Sequence, residues 1–206
     1  MASRACLVAK DAAFNVRDYI ANSSRMAFLA VKQCERELDD LERDIDELLP
    51  FAITGVTEPE ARQLLACLKF ITDLERIGDL LRSVAHGVHQ LSFALPREDA
   101  RNFQEMSDML QTMLKEVHEG FVAHKTEPAE LVLRTDSEID YACQEVFRRY
   151  LQQTTQKAAG DKAKILFIAQ ALERAGDHAK NLAEEVIHLV KGHTLRHASR
   201  ARLRSD

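Results

Sequence analysis

The sequence predicts an all-α protein made of two three-helix units in tandem, and three observations lead to this prediction. The 206 residues include only 7 glycines and 4 prolines, fewer than the frequent turns of a sheet protein require. Apolar residues recur three and four positions apart over long stretches, which is the helical period. The pattern Glu-Arg-x-Gly-Asp occurs twice, in DLERIGD (73–79) and ALERAGD (171–177), 98 positions apart. Such self-similarity indicates a duplicated unit.

Five turn-forming stretches divide the chain into the predicted helices. These are NSS at 22–24, ITGVTEPE at 53–60, FALPRED at 93–99, HKTEPAE at 124–130 and QKAAGDK at 156–162. The six helices are therefore expected at about 3–22, 25–52, 58–92, 97–124, 127–156 and 161–191.

The second and fifth helices repeat each other, as the third and sixth do. ERELDDLERDI (35–45) and DSEIDYACQEV (136–146) share an acidic-x-x-apolar-Asp pattern at an offset of 101, close to the 98 of the other pair. The predicted units are 1–93 and 97–192, followed by a basic tail at 193–206.

Heptad-like apolar stripes mark the faces expected to form the core of the bundles. The stripe of the second helix is Val31, Cys34, Leu38, Leu41, Ile45 and Leu48. That of the third is Cys67, Phe70, Leu74, Ile77, Leu81, Val84, Val88 and Leu91. That of the sixth is Ile165, Ile168, Leu172, Ala175, Ala179, Leu182, Val186 and Leu189. Gly78 and Gly176 lie inside predicted helices at a cost of about 1 kcal/mol each, which predicts close helix–helix approach at these positions, with a hinge as the alternative.

Pairs of acidic residues four positions apart lie away from these stripes, where they are neighbours on one helix face. The pairs are Glu35/Asp39, Glu75/Asp79, Asp136/Asp140 and Glu173/Asp177. In antiparallel hairpins, residues equally distant from the turn lie at the same height, so each unit is expected to gather four carboxylates. Four close carboxylates are unfavourable unless they are protonated or bound to cations. Oxygen ligands of this kind suit Mg²⁺, Ca²⁺, Mn²⁺ or iron ions.

The alternative is a solvated acidic face with local ion pairs. Arg36 and Arg43 flank the first acidic pair, and Arg76 and Arg174 stand next to the repeated glutamates. Spacing alone leaves both interpretations open.

Composition excludes several functional classes. A net charge of −5 and a pI near 5.9 argue against a nucleic-acid binder. The basic stretch from Lys191 is expected to be a solvated tail, with an anionic partner or membrane surface as the alternative. Cys6, Cys34, Cys67 and Cys143 form no CxxC pair, as expected in a reducing cytosol. No apolar run reaches the roughly 20 residues of a membrane helix, so a cytoplasmic protein is expected.

No pattern in the sequence indicates catalysis. There is no nucleophile–base arrangement and no phosphate-binding glycine-rich loop. A carboxylate-bridged di-iron site needs paired Glu-x-x-His motifs, and Glu185/His188 has no second copy. The protein is therefore expected not to be an enzyme, with a di-metal enzyme or iron store as a remote alternative.

Taken together, the motifs resemble those of the PhoU family. LERIGD (74–79) and LERAGDHAKNLAEEVIHLVKG (172–192) look like the family's paired signatures, and all four acidic pairs fit its E(D)xxxD pattern. RQLLACLKFITDLERIGD (62–79), with Arg62 and Lys69 seven apart, is similar to the family's third helix. The resemblance extends over roughly 10–197.

The resemblance implies two three-helix bundles related by pseudo-twofold symmetry, commonly in dimers or higher oligomers. It implies a non-enzymatic negative regulator of phosphate-starvation signalling. The expected partners are the ATPase subunit of a phosphate ABC transporter and a phosphate-sensing histidine kinase. The expected location is cytoplasmic, with peripheral membrane association through these partners. An accessory role beside a different phosphate transporter is the alternative.

The family also implies metal at the acidic motifs, and the identity of the ion (Fe, Mn, Mg, Zn or Ca) is left open. The residues expected to bind it are Glu35, Asp39, Glu75, Asp79, Asp136, Asp140, Glu173 and Asp177. After Asp79 the chain departs from the family's Asn, branched apolar residue, Ala and Glu, because it has Ser83, Val84, Ala85 and His86. The second copy keeps Asn181 and Glu184, so metal is expected there more than in the first. His86 is expected to be exposed rather than a further ligand.

Overall fold

A computed structural model describes residues 1–152 and 159–191, and these ranges form six α-helices and no strand. The helices are α1 (Ala2–Asn22), α2 (Arg25–Ala52), α3 (Glu58–His89), α4 (Arg97–Ala123), α5 (Glu127–Leu151) and α6 (Ala159–Lys191). The predicted all-α class is confirmed.

Two helix ends differ from the prediction. α3 ends at His89 rather than 92, because the hydroxyl of Ser92 instead donates to the side chain of Asp161, near the start of α6. α6 begins at Ala159, two residues earlier than expected. The predicted end of the fifth helix at 156 and the basic tail at 193–206 lie outside the described residues.

Local side-chain contacts explain the breaks between helices. Ser23 ends α1 in the left-handed region (φ 52°), and the adjacent Ser24 hydroxyl accepts from the amide of Ala27 at 3.2 Å to begin α2. At the start of α3, the amide of Thr57 donates to Glu60 at 2.8 Å in a capping box. The turn residues recognised in the sequence therefore have defined roles.

The two sets of three helices pack in the same way and also against each other. Within each set the helices contact one another, while α1 lies along α4 and α3 lies along α6. One continuous cluster of buried apolar side chains draws on all six helices. The proposed boundary falls in the connection between α3 and α4, and the bounds of the two units stay a prediction.

Most of the predicted stripe residues are buried, including Phe70, Leu74 and Ile77 of α3 and Leu182 and Val186 of α6. The prediction is wrong for Leu48, which is 55% exposed and lines a surface depression together with Ala52 and Leu64.

Polar contacts join α3 and α6, which run antiparallel. The Lys69 ammonium lies 2.9 Å from the carboxylate of Glu185, and His178 Nδ1 lies 2.8 Å from Asp73 Oδ1. In the described ranges, no helix combines the length and apolar character that a membrane span requires.

Candidate cation sites between paired helices

The first acidic cluster lies in the groove between α2 and α3. Glu35 and Asp39 from α2 meet Glu75 and Asp79 from α3 along an open, polar depression. The antiparallel hairpin places these four side chains at matching heights, as the spacing predicts. Three further carboxylates of α2 that sequence reasoning missed line the same depression: Glu42, Asp46 and Glu47. Glu42 and Asp46 continue the i, i+3/i+4 spacing of Glu35 and Asp39, so this spacing could have identified them.

Several of these carboxylates hold protons more tightly than usual. Burial raises the pKa of Glu35, and the neighbouring charges of Asp39 and Asp79 raise it further. Burial likewise raises the pKa of Asp39, Glu42 and Glu75, with contributions from nearby carboxylates. The Glu35 and Glu75 side chains are only 12% and 14% exposed. The expectation that these pairs face away from the core therefore holds only in part, because they lie between two helices.

A side chain of the protein itself supplies positive charge to this cluster. Arg82 Nε lies 3.0 Å from Glu35 Oε1, and its Nη2 lies 3.4 Å from Asp79 Oδ1. One guanidinium therefore bridges the acidic residues of α2 and α3. Of the arginines expected to pair locally, Arg76 lies 3.5 Å from Glu75, while Arg43 pairs with Asp40 instead of Asp39.

The second acidic cluster repeats this arrangement between α5 and α6. Asp140 and Glu173 have pKa values raised first by burial and then by carboxylates that include Asp136 and Asp177, so the four predicted residues are brought together. Asp136 is 3% exposed, which corrects the prediction that it points away from the core. Its position is tolerated because the ammonium of Lys180 donates a hydrogen bond to it.

Arg82 and Lys180 are equivalent residues that the sequence analysis overlooked. They are 98 positions apart, and each follows the repeated aspartate of its own unit by three residues. That spacing places side chains on one helix face and could have identified them. Each acidic cluster therefore contains one built-in cation at the same place in the duplicated unit.

The donor chemistry of both clusters fits hard cations, because the acidic side chains offer oxygen ligands. Cys143 does not alter this, since burial and the neighbouring Glu173 and Asp140 raise its pKa to about 11 and keep it a neutral thiol. Within residues 1–152 and 159–191, no three His, Cys, Asp or Glu side chains form a preformed metal site.

Two histidines considered in the sequence analysis have other roles. His86 is half-buried rather than exposed, because its ring packs edge-on against Phe28 with the centroids 5.3 Å apart. Burial and the nearby Lys32 and Arg82 lower its pKa. His188 lies 3.5 Å from Glu185, whose carboxylate is held by Lys69.

The two glycines next to the repeated aspartates are places of close helix approach, as predicted. A Cβ atom at Gly78 would lie 2.6 Å from Leu38 Cδ1 of α2, and one at Gly176 would lie 3.2 Å from Ile139 Cδ1 of α5. Leu38 and Ile139 are 101 positions apart, so the contact is duplicated with the helices.

Comparison with known proteins finds matches to one family along most of the chain. The family model described as "PhoU domain" matches residues 3–88 and again 103–186. A Burkholderia protein named "Phosphate-specific transport system accessory protein PhoU homolog" is 32% identical over 198 residues, covering 92% of this chain and 83% of that protein. A Pseudomonas aeruginosa protein of the same name is 29% identical over 184 residues, covering 85% and 75% of the two chains.

Solved structures share the fold. The crystal structure of PhoU from Pseudomonas aeruginosa aligns with a TM-score of 0.84 at 24% identity, covering 92% of this chain and 93% of that one. The phosphate transport system regulatory protein PhoU from Streptococcus pneumoniae also gives a TM-score of 0.84, at 18% identity, with 94% and 93% covered.

Proposed function

We propose that this chain, which belongs to the PhoU family, is a non-enzymatic accessory and regulatory protein of a phosphate transport system. The observation that carries the proposal is the match of the PhoU domain to both halves of the chain. It is supported by relatives named as accessory proteins of phosphate-specific transport systems.

In finer terms, the chain acts as a negative regulator of phosphate-starvation signalling through protein–protein contacts. Its partners are the ATPase subunit of a phosphate ABC transporter and the phosphate-sensing histidine kinase, and it assembles as a homodimer in the cytoplasm. A docking role is supported by the relatives that match this chain, because they are named as accessory proteins of phosphate-specific transport systems.

Deletion of the gene tests the regulatory role. In phosphate-rich medium, the deletion strain should express phosphate-starvation genes that the parent strain represses, and a plasmid copy should restore repression. Normal repression in the deletion strain would contradict negative regulation. If phosphate uptake through a different transporter changed instead, the alternative accessory role would be favoured.

The acidic clusters are proposed to bind hard cations, with Fe, Mn, Mg, Zn or Ca as candidates. In the first unit Glu35, Asp39, Glu75 and Asp79 would hold the ion, and in the second Asp136, Asp140, Glu173 and Asp177 would do so. A bound cation would neutralise the cluster and link α2 to α3 or α5 to α6. Burial, and after it the neighbouring carboxylates, raise the pKa values of Glu75 and Glu173, and a bound cation would offset both effects, which supports this proposal.

Metal content of the purified protein tests this part of the proposal. The double variant Glu173→Gln/Asp177→Asn should carry less metal per chain than the wild type by elemental analysis after dialysis. Asp40→Asn/Asp44→Asn is the matched control, because it removes an acidic i, i+4 pair from exposed positions of α2. Equal metal content in all three proteins would contradict the proposed metal site in the second unit.

A further inference from the structure

Arg62 and Lys69, which the sequence analysis singled out for their spacing, line a cavity that the acidic clusters do not involve. It lies on the α3–α6 seam and measures about 240 Å³. The lining residues are Arg62, Leu65, Leu68, Lys69, Glu185, His188 and Leu189. Leu68, Lys69 and Glu185 also line a neighbouring depression that continues past Thr72, Asp73 and Asn181. We call these two connected spaces the α3–α6 groove.

The groove combines an apolar interior with cations at its mouth. Leu65 remains 47% exposed, although it lies beside Leu68 and Leu189. The side chains of Arg62 and Lys69 are 57% and 50% exposed, whereas that of Glu185 is only 11% exposed. The positive groups are therefore presented to solvent, whereas Glu185 and Asp73, the latter 20% exposed and paired with His178, are largely withdrawn from it.

Both cations keep N–H groups that can donate hydrogen bonds to a bound partner. A guanidinium carries five N–H groups and an ammonium carries three. Arg62 donates through Nε and Nη2 to Glu58, and Lys69 divides its bonds between the two oxygens of Glu185. The remaining N–H groups suit an additional carboxylate, which forms charge-assisted hydrogen bonds with such donors.

The equivalent positions of the duplicated unit carry different residues. Residues 98 positions after Leu65 and Lys69 are Ala163 and Phe167, and the residue 98 before Glu185 is Gly87. A Cβ atom at Gly87 would lie 2.9 Å from Ile168 Cγ1, so α3 and α6 are closely packed there. Several residues that line the groove are thus not repeated at the equivalent positions of the duplicated unit.

The size of the cavity favours one kind of occupant. Small-molecule and cofactor sites usually enclose about 300–1,000 Å³. The apolar cavity of about 240 Å³ is smaller and suits a single anchoring side chain, the element that dominates the energetics of protein interfaces. The neighbouring polar depression of about 430 Å³ leaves space for the residues that flank such a side chain.

We propose that the α3–α6 groove is the docking surface for a segment of a protein partner in which an apolar side chain is flanked by carboxylates. The apolar side chain enters between Leu65, Leu68 and Leu189, and the carboxylates meet Arg62 and Lys69. This inference rests on the proposed function, because that function supplies the partner, a subunit of a phosphate transporter or its sensor kinase.

Binding measurements with the purified phosphate ABC transporter in nanodiscs, and with the soluble part of the kinase, test the groove. Leu65→Asp and Arg62→Glu should each weaken binding of one of these partners by more than about tenfold, as expected for interface hot spots. Phe167→Asp is the matched control, since Phe167 is 68% exposed at the position equivalent to Lys69. It should bind like the wild type. Circular dichroism melts verify that each variant is folded, and Leu65→Gln replaces Leu65→Asp if the latter is not.

The outcomes separate the groove from the proposed function. If the groove variants bind the partners as tightly as the wild type does, the groove is not the docking surface, whereas the proposed function still holds. Failure of the wild type to bind either partner would overturn the proposed partners, and the groove proposal with them. If the groove variants changed only the self-association of the isolated chain in sedimentation experiments, the occupant would be a second copy and the proposal would be wrong.

Discussion

Gly78 and Gly176 show how single residues set the spacing of the helices that carry the acidic clusters. Gly78 faces Leu38, a fully buried side chain, whereas Gly176 faces Ile139 with more space. An added methyl group would improve helix propensity by about 1 kcal/mol in either case. Its cost depends on whether the facing side chain can move, so the two glycines should respond differently to the same substitution.

We expect Gly78→Ala to destabilise the protein by about 1 kcal/mol, because overpacking a core contact costs about 1–3 kcal/mol and outweighs the gain in helix propensity. Gly176→Ala serves as the matched control and should be close to neutral, because its contact at 3.2 Å needs only a small shift of Ile139. Urea unfolding followed by circular dichroism measures both. A Gly78→Ala protein as stable as Gly176→Ala would contradict the close contact at Leu38.

At the level of helices, the sequence predicted the elements and the meeting of the carboxylates for physical reasons. Periodicity identifies amphipathic helices, and a short turn between antiparallel helices fixes which residues share a height. The roles of Arg82 and Lys180 could not be deduced with the same force, because a spacing of three residues permits an ion pair without requiring it. The packing of α1 on α4 and of α3 on α6 could not be predicted from the sequence either, because helix periodicity shows that a face is buried but not which helix covers it.

The raised pKa values in the α2–α3 and α5–α6 grooves predict a particular pH dependence. A carboxyl whose pKa is raised by folding stabilises the native state fully below its unfolded pKa, and this contribution is lost as pH rises through the folded pKa. Glu75→Gln and Glu173→Gln should therefore raise the free energy of unfolding at pH 7 by a few tenths of a kcal/mol. The gain should disappear below about pH 4, where the wild-type carboxyls are protonated.

Urea titrations at several pH values, in low salt with a chelator present, measure these differences. Glu60→Gln is a control of opposite sign, because hydrogen bonds from Thr57 lower the pKa of Glu60. Its stabilising contribution is present above its unfolded pKa and is lost as pH falls through the folded pKa, so this variant should be less stable than the wild type at pH 7. If neither Glu75→Gln nor Glu173→Gln is more stable than the wild type at pH 7, the prediction is wrong. The positive charges of Arg82 and Lys180 would then already offset the repulsion among the carboxylates.

For the whole molecule, the duplicated sequence and the single core make different predictions about unfolding. Two independent units would unfold in two steps, whereas helices that share one core should unfold together. The described helices pack as strongly across the duplication as within each unit, through α1 with α4 and α3 with α6. The Lys69–Glu185 contact adds a polar link whose carboxylate is buried.

We therefore expect one cooperative unfolding transition, with a calorimetric enthalpy equal to the van't Hoff enthalpy in differential scanning calorimetry. Lys69→Met should lower the midpoint while keeping a single transition, because it leaves the buried Glu185 without its ammonium partner at a cost of roughly 1–3 kcal/mol. Arg101→Met is the control, because Arg101 lies 3.7 Å from Glu105 in an exposed pair on one helix and should have little effect. Two transitions in the wild type, or a Lys69→Met variant that splits one into two, would show that the halves fold as separate domains.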